Sequence, residues 1–421
     1  MKSISQPRRV LLLAGAVLAA ALALAPAMAA EPAQPWSLEH WVGTWGAAPA
    51  GPALAASTPA FADQTLRLIV HTSIGGNRVR IRLSNERGRT ALRIGEARIA
   101  VRASGADISP GTDRALTFSG NTSVTIPPHV PMLSDPVELN VAPLSDLAVS
   151  LYLPGTAGGA TVHGSASQAS YVSLPGNFSG AASLPTQRTI ASMPFLTAVD
   201  VDSDSGAIVV MGDSITDGGK SGQTDWLARR LQDLRDPGLG RLGVVNRVVT
   251  GNRVLPNPVE GSPAGRSALE RFDRDVLATA GLRHIAVMMG IDDIGSSPND
   301  NPVSIDLLIA GYRELIARAH EKGIPIFGAT LAPFEGARYY SAQKETVRQA
   351  LNDWIRNNGE FDGVIDFDHV LRDPAHLARL LPAYDSGDHL HPNELGYQAM
   401  ADGLPLALFR QNWHGKIAAP G

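Results

Sequence analysis

Two short stretches of this chain carry residues of the types and spacing that acyl transfer needs. The first is Gly212-Asp213-Ser214, directly after the apolar run Ala207-Ile208-Val209-Val210-Met211. A serine where a buried strand meets a loop is held at the carboxyl edge of a sheet, and Gly212 lets the backbone turn tightly there. The second is Asp385-Ser386-Gly387-Asp388-His389-Leu390-His391-Pro392-Asn393, far downstream. Asp388 and His391 are three residues apart, so one turn places both side chains on the same side. A carboxylate that orients a neutral imidazole, which then takes a proton from a serine, is the arrangement of nucleophilic acyl transfer. Ser214 is thus the candidate nucleophile, His391 its base and Asp388 the orienting group.

Rival chemistries find less support. The Gly-x-Ser-x-Gly elbow of α/β-hydrolases occurs nowhere in the chain. A phosphate loop ending in Gly219-Lys220-Ser221 would need a glycine at the position of Ser214. Asp388, His389 and His391 match none of the common zinc spacings and have no third ligand group, so no metal is expected and His389 reads as a supporting or packing residue. Asp200, Asp202 and Asp204 alternate as in a calcium loop. Such a loop requires Gly at the position of Ser205 and Glu at that of Met211, so they read as linker acidity. There is no cysteine, which excludes disulfides, thiolate metal sites and a cysteine nucleophile. No cofactor is implied.

The elements that must position these residues follow from periodicity. From Gly206 onward, apolar runs alternate with helix-like spacing. The runs are Ala207 to Met211, Val244 to Val249, His284 to Met289, Ile324 to Phe327 and Val364-Ile365. The helical patterns cover 224–235, 304–322 and 342–357. Buried strands alternating with helices predict a parallel sheet covered on both faces, with ligands beyond the carboxyl ends of its strands. Ahead of this lies a different texture. Thr65 to His71, Leu92 to Val101, Ser123 to Ile126 and Asp146 to Leu153 read as short strands. In Arg78-Val79-Arg80-Ile81-Arg82-Leu83 the apolar residues face one way and the arginines the other, the period-two pattern of a half-buried strand. Gly75-Gly76-Asn77, Ser104-Gly105 and Pro127-Pro128 mark turns, and the set predicts an antiparallel β-sandwich. The arginine face reads as a solvated strand face. Residues 155–205, rich in Gly, Ala, Ser and Pro, read as loop and linker.

At 421 residues the chain exceeds the usual ceiling for one hydrophobic core. Three segments are expected: a signal peptide over 1–30, a β-sandwich with linker over 31–200 and a catalytic part over 201–421. Lys2, Arg8 and Arg9 precede the apolar run Val10 to Ala25, and Pro26 and Ala27-Met28-Ala29 close a secretory signal with a cleavage site. Sixteen Ala-rich residues are short for a membrane span of about 20. Export to the periplasm or exterior is therefore expected, without stable membrane insertion. Arg8-Arg9 alone is a weak twin-arginine signal, and Asn177-Phe178-Ser179 is formally a glycosylation sequon. Hydrophobic residues are 44% and charged residues 18%, with a net charge of −4, which fits a globular protein and argues against a nucleic-acid partner.

Taken together, the blocks resemble the SGNH, or GDSL, hydrolase family over about residues 206–412. The serine block is similar to Met211-Gly212-Asp213-Ser214-Ile215-Thr216-Asp217-Gly218, and the last block is Asp388 with His391. The resemblance implies a flavodoxin-like, three-layer α/β/α domain with a parallel sheet. It also implies two oxyanion residues: Gly251, in Val249-Thr250-Gly251-Asn252-Arg253, and Asp292, in Gly290-Ile291-Asp292-Asp293. The upstream half resembles the jelly-roll-like β-domain of some secreted members, through Trp41-Val42-Gly43-Thr44-Trp45 and Ile74-Gly75-Gly76…Leu83-Ser84-Asn85. The implied activity is hydrolysis of short acyl or acetyl esters, with a small acyl ester or an acetylated carbohydrate as substrate.

Position 292 departs from the pattern, which has asparagine there. An amide donates to the oxyanion, whereas an ionised carboxylate only accepts, and one lost donor costs about 100- to 1,000-fold in turnover. Three accounts stay open: a protonated Asp292 that donates as an acid, a hole built on backbone N–H groups alone, and a lesion that leaves a carbohydrate- or ligand-binding protein. A metal-dependent phosphoesterase is a further reading, distinguished by chelator sensitivity.

Overall fold

The computed structural model describes residues 40–51, 60–157, 161–164, 168–217, 223–234, 236, 239–259 and 262–410. The expected signal peptide, the stretch Gly218 to Ser221 and the last residue of the serine block lie outside the described residues.

The β-rich part is built on two larger antiparallel sheets. One runs in the order Trp41–Gly46, Leu196–Asp202, Gly76–Ser84, Val137–Val141. The other runs Thr186–Ile190, Ser170–Pro175, Phe61–His71, Asp146–Ala157, Glu96–Ser104, Asp107–Ile108. Alternation along the strands explains their packing. Val79, Ile81 and Leu83 share a core with Leu66, Leu68, Val70, Leu147, Val149 and Leu151 of the other sheet, all fully buried. The expected run from Leu92 to Val101 is two strands, Leu92–Ile94 and Glu96–Ser104, either side of Gly95, where a Cβ would lie 2.8 Å from the Tyr152 ring.

Two expectations require correction here. Residues 155–205 are not a loop. They supply Ser170–Pro175, Thr186–Ile190 and Leu196–Asp202, and the last is an inner strand between Trp41–Gly46 and Gly76–Ser84. Their Gly, Ser and Pro content signals local freedom, but pairing with strands more than a hundred residues earlier in the chain overrides it. Nor is the acidic run linker. Asp200 is buried and accepts from Arg80 Nε at 3.0 Å, while Asp202 Oδ1 accepts the backbone N–H groups of Asn77 and Arg78. The arginine face is only partly solvated: the Arg80 guanidinium lies 4.5 Å from the Trp41 ring centre.

The second part holds a five-stranded parallel sheet ordered Gly243–Asn246, Ala207–Gly212, Leu282–Met288, Ile326–Ala329, Gly363–Ile365. In chain order this is 2-1-3-4-5, so the order reverses at Ala207–Gly212, where such sheets place their ligands. The expected helices are present as Gln223–Asp233, Ile305–Glu321 and Ala342–Asn357.

The two parts share one core, and the expected boundary at 200/201 falls inside the strand Leu196–Asp202. At the seam, Trp41–Gly46 lies on Gly243–Asn246 so closely that a Cβ on Gly43 or Gly46 would sit 2.8 or 2.5 Å from the methyls of Val245. Ser73 Oγ donates to Thr44 O and accepts from Val244 N. The buried Arg247 guanidinium donates to the carbonyls of Ala47 and Thr197, and burial pushes its pKa down to about 10.

Candidate active site

The strand Ala207–Gly212 is buried along its whole length and ends in a single helical turn, Ser214–Asp217. Gly212 is required there: a Cβ would fall 1.9 Å from the Thr216 hydroxyl, which itself donates to Asp213 O. Asp213 Oδ1 accepts from Ile215 N and fixes the start of the turn, leaving Ser214 at the edge of the sheet.

The late segment supplies the base. Asp388 and His391 lie on a loop rather than a helix, and the loop is folded by its own carboxylates. Asp388 Oδ1 accepts the backbone N–H groups of Leu390 (3.0 Å) and His391 (2.8 Å), while its Oδ2 lies 2.6 Å from His391 Nδ1. His391 Nε2 lies 2.8 Å from Ser214 Oγ. With the proton on Nδ1, Nε2 is free to accept from the serine hydroxyl. Partial burial opposes charge on Asp388, but hydrogen bonds from His391 N, the His391 ring and Leu390 N outweigh it and hold this carboxyl well below the usual range. Asp385 does a similar service next door: it accepts from Gly387 N and His389 N and binds His389 Nδ1. His389 is therefore tied to Asp385, half-exposed, and not part of the chain that reaches Ser214.

Gly251 has φ +74°, a conformation that favours glycine, and sits on the loop after Gly243–Asn246. Val249 N donates to Gly212 O, tying that loop to the nucleophile turn. The fully buried Arg271 holds it from behind, donating to Asn252 Oδ1 and Arg247 O. Asp292 opens the helix Ile291–Ser296 after the strand Leu282–Met288. Its Oδ2 is buried with no hydrogen-bond partner. Burial first, and then the neighbouring Asp293 charge, push its pKa up to about 6 against the pull of Arg253 and His391. Asp293 itself accepts from Val254 N and Leu255 N.

The structure thus joins Ser214, His391 and Asp388 in one hydrogen-bonded chain, and it places Asp292 within electrostatic reach of His391. Sequence reasoning missed Arg271 and Asn252, because no local pattern marks a buried arginine that pins a remote loop. It also missed Asp213 as a chemical group. That residue was visible in the serine block, but its burial was not. Beside Asp292 opens a cleft of about 500 Å³ lined by Ser296, Asn299, Arg338 and Tyr339. Among the described residues no group of three His, Asp or Glu side chains is placed to hold a metal ion. No helix there is long and apolar enough to cross a membrane.

Residues 210–399 match the GDSL-like Lipase/Acylhydrolase family, a stretch that is less than half of the chain and excludes the β-rich part. Similar solved structures include a putative lipolytic protein of the G-D-S-L family from Desulfitobacterium hafniense, at 18% identity over 48% of this chain and 99% of that one, with a TM-score of 0.37. An acetylxylan esterase from Geobacillus stearothermophilus is 22% identical over 49% of this chain and 95% of that one, with a TM-score of 0.37. An α/β hydrolase from the Lake Arreo metagenome, Spain, has the same identity and coverage and a TM-score of 0.38. No curated protein matches. The chain carries a GDSL/SGNH-like hydrolase domain behind a β-rich region.

Proposed function

We propose that this chain is a serine ester hydrolase that cleaves short acyl or acetyl esters through an acyl-enzyme on Ser214. The observation that carries the reading is the continuous chain from Ser214 Oγ through the His391 ring to Asp388. His391 takes the serine proton as Oγ attacks the ester carbonyl, then gives it to the leaving alcohol; in the second half it deprotonates water for deacylation. Asp388 fixes the ring tautomer and balances the imidazolium formed in each half. The backbone N–H groups of Ser214 and Gly251 face the developing oxyanion, and Asp292 joins them when it carries a proton.

The sheet order 2-1-3-4-5 supports a flavodoxin-like core. The two antiparallel sheets support a jelly-roll-like front part that runs through the strand Leu196–Asp202, with the hydrolase part after it; the basic start and apolar run of residues 1–30 support export after their removal. The hydroxyl, amide and guanidinium groups lining the cleft beside Asp292 support a polar alcohol portion, such as an acetylated carbohydrate, over a long acyl chain. A second reading, a catalytically impaired binding protein, is favoured by the unpartnered Asp292 carboxyl alone. Hydrolysis of p-nitrophenyl acetate separates the two. Wild type turns over and Ser214→Ala does not; equal rates for both would sink the esterase reading.

A further inference from the structure

Asp213 and Asp292 are an unusual couple. Asp213 is fully buried, and each residue has an Oδ2 atom that is buried without a hydrogen-bond partner. They sit on adjacent parallel strands' carboxyl ends: Gly212 is in register with Met288, Asp213 follows the first and the helix bearing Asp292 follows the second. Of the charged neighbours, Arg338 and Lys344 line the cleft with Asp292, and Lys344 donates to Gly295 O and Tyr339 O. Asp293 spends its oxygens on Val254 N and Leu255 N. Arg271, which feels Asp213, is bound to Asn252, Arg247 O and Asp275. Tyr312 donates to Met289 O. Arg253 and His391 attract Asp292 from the Gly251 loop and the late loop without pairing to it, while Tyr339 and Tyr397 present neutral phenols. Two neighbouring carboxylates whose Oδ2 atoms are buried without a hydrogen-bond partner do not readily both ionise.

We infer that Asp213 and Asp292 hold one proton in common, and that Asp213 is the positioning residue that keeps a hydrogen on Asp292 for the oxyanion. The inference rests on the esterase reading for its catalytic half. At rest the pair carries a single negative charge. When the tetrahedral intermediate forms, its negative oxygen draws the proton to the Asp292 oxygen nearer the substrate, which donates a hydrogen bond, and the charge of the pair retreats to Asp213, whose Oδ1 accepts from Ile215 N. No net proton enters or leaves. Burial of Asp213 and the nearby Asp292 charge both raise its pKa well above the carboxylate range, which agrees with one shared proton. A lone aspartate at 292 would lose its donor once ionised; a pair keeps it until the second proton loss, at higher pH.

The test is the pH profile of kcat for wild type, Asp213→Asn, Asp292→Asn and the double variant. Asparagine at 213 cannot share a proton, so the alkaline limb of Asp213→Asn moves at least about one pH unit lower. Asparagine at 292 needs no proton, so the limb disappears in Asp292→Asn and the change at 213 has no further effect on the profile. A profile of Asp213→Asn that is only scaled, with the limb unmoved, overturns the inference, as does a shift that persists in the double variant. Should Asp213→Asn fail to fold, infrared spectroscopy of resting wild type decides. A protonated-carboxyl carbonyl band at roughly pH 7.5, well above ordinary aspartate titration, is expected, and its absence means that both groups are ionised and the pair does not exist. That band is independent of turnover. A wild type that hydrolyses no ester therefore refutes the esterase reading separately.

Discussion

On the nucleophile side of the site, Asp388 and His391 have hydrogen bonds at both oxygens and both ring nitrogens; on the oxyanion side, Asp213 and Asp292 each leave a buried oxygen with none. The contrast has a physical cause. The first group is built by a short loop whose own backbone N–H groups satisfy the carboxylate, and it is partly exposed, so its charges stay solvated. The second is assembled by the sheet from two strand ends, with one oxygen of each carboxyl shut off from water and Asp292 bordering the cleft. A partly exposed carboxylate with its hydrogen bonds made keeps its charge readily, whereas a buried carboxyl pair makes charge conditional on protonation. The nucleophile and the oxyanion site are therefore set by different variables, geometry in one case and proton occupancy in the other.

The contrast can be broken most directly at Ser214. Ser214→Ala or His391→Ala is expected to lower kcat about a million-fold, and residual turnover near wild type would remove the nucleophile side altogether. Asp388→Asn leaves the loop hydrogen bonds to Oδ1 but disfavours the needed His391 tautomer. Because Asp388 is 52% exposed, water can take over part of its role, so the loss is expected nearer to about 1,000-fold than to the about 10,000-fold of a fully buried orienting carboxylate. On the other side, Asp292→Asn should increase turnover by a factor that grows with pH, reaching about 100-fold at the alkaline end and vanishing in acid. A uniform decrease at all pH values would show that the carboxyl, and not a missing amide, is what the site uses.

Stability sharpens the same point. A carboxyl whose folded pKa is raised from 3.8 to about 6 adds no strain below its unfolded value and destabilises increasingly as pH rises through the folded value. Replacing it with a neutral amide should therefore stabilise the fold at roughly pH 8 and leave roughly pH 4 unchanged. Thermal unfolding at the two pH values measures this. The smallest effect on chemistry is expected far from both sides. Gly46→Val forces a side chain into Val245 and Arg247, costing about 1–3 kcal/mol of stability while kcat of the folded fraction is retained.

What was legible in the sequence follows the same division. Ser214, Asp388 and His391 could be read because each depends on local features, a strand ending in glycine or two side chains one turn apart. The parallel sheet was legible because its strands are continuous apolar runs. Asp213 was not, since its meaning depends on an Asp292 that only the sheet register brings near. Residues 155–205 were misread for a related reason: their composition reports local freedom, while the strands Ser170–Pro175 and Leu196–Asp202 draw their order from partners early in the chain. Asp200 was taken for linker acidity because Arg80, which binds it, lies in a strand whose charged face looked solvated.

The close seam between Trp41–Gly46 and Gly243–Asn246 has a practical side. A gene truncated to begin near Gly206 would keep every group of the Ser214–His391–Asp388 chain, yet it would strip the outermost parallel strand of its cover and leave Arg247 with neither Ala47 nor Thr197 to accept its protons. The hydrolase segment is thus a poor choice for grafting onto a foreign carrier. The shortest useful fragment for expression starts before Trp41, and a library that shuffles front modules should carry the strand Leu196–Asp202 and Trp41–Gly46 together as one cassette.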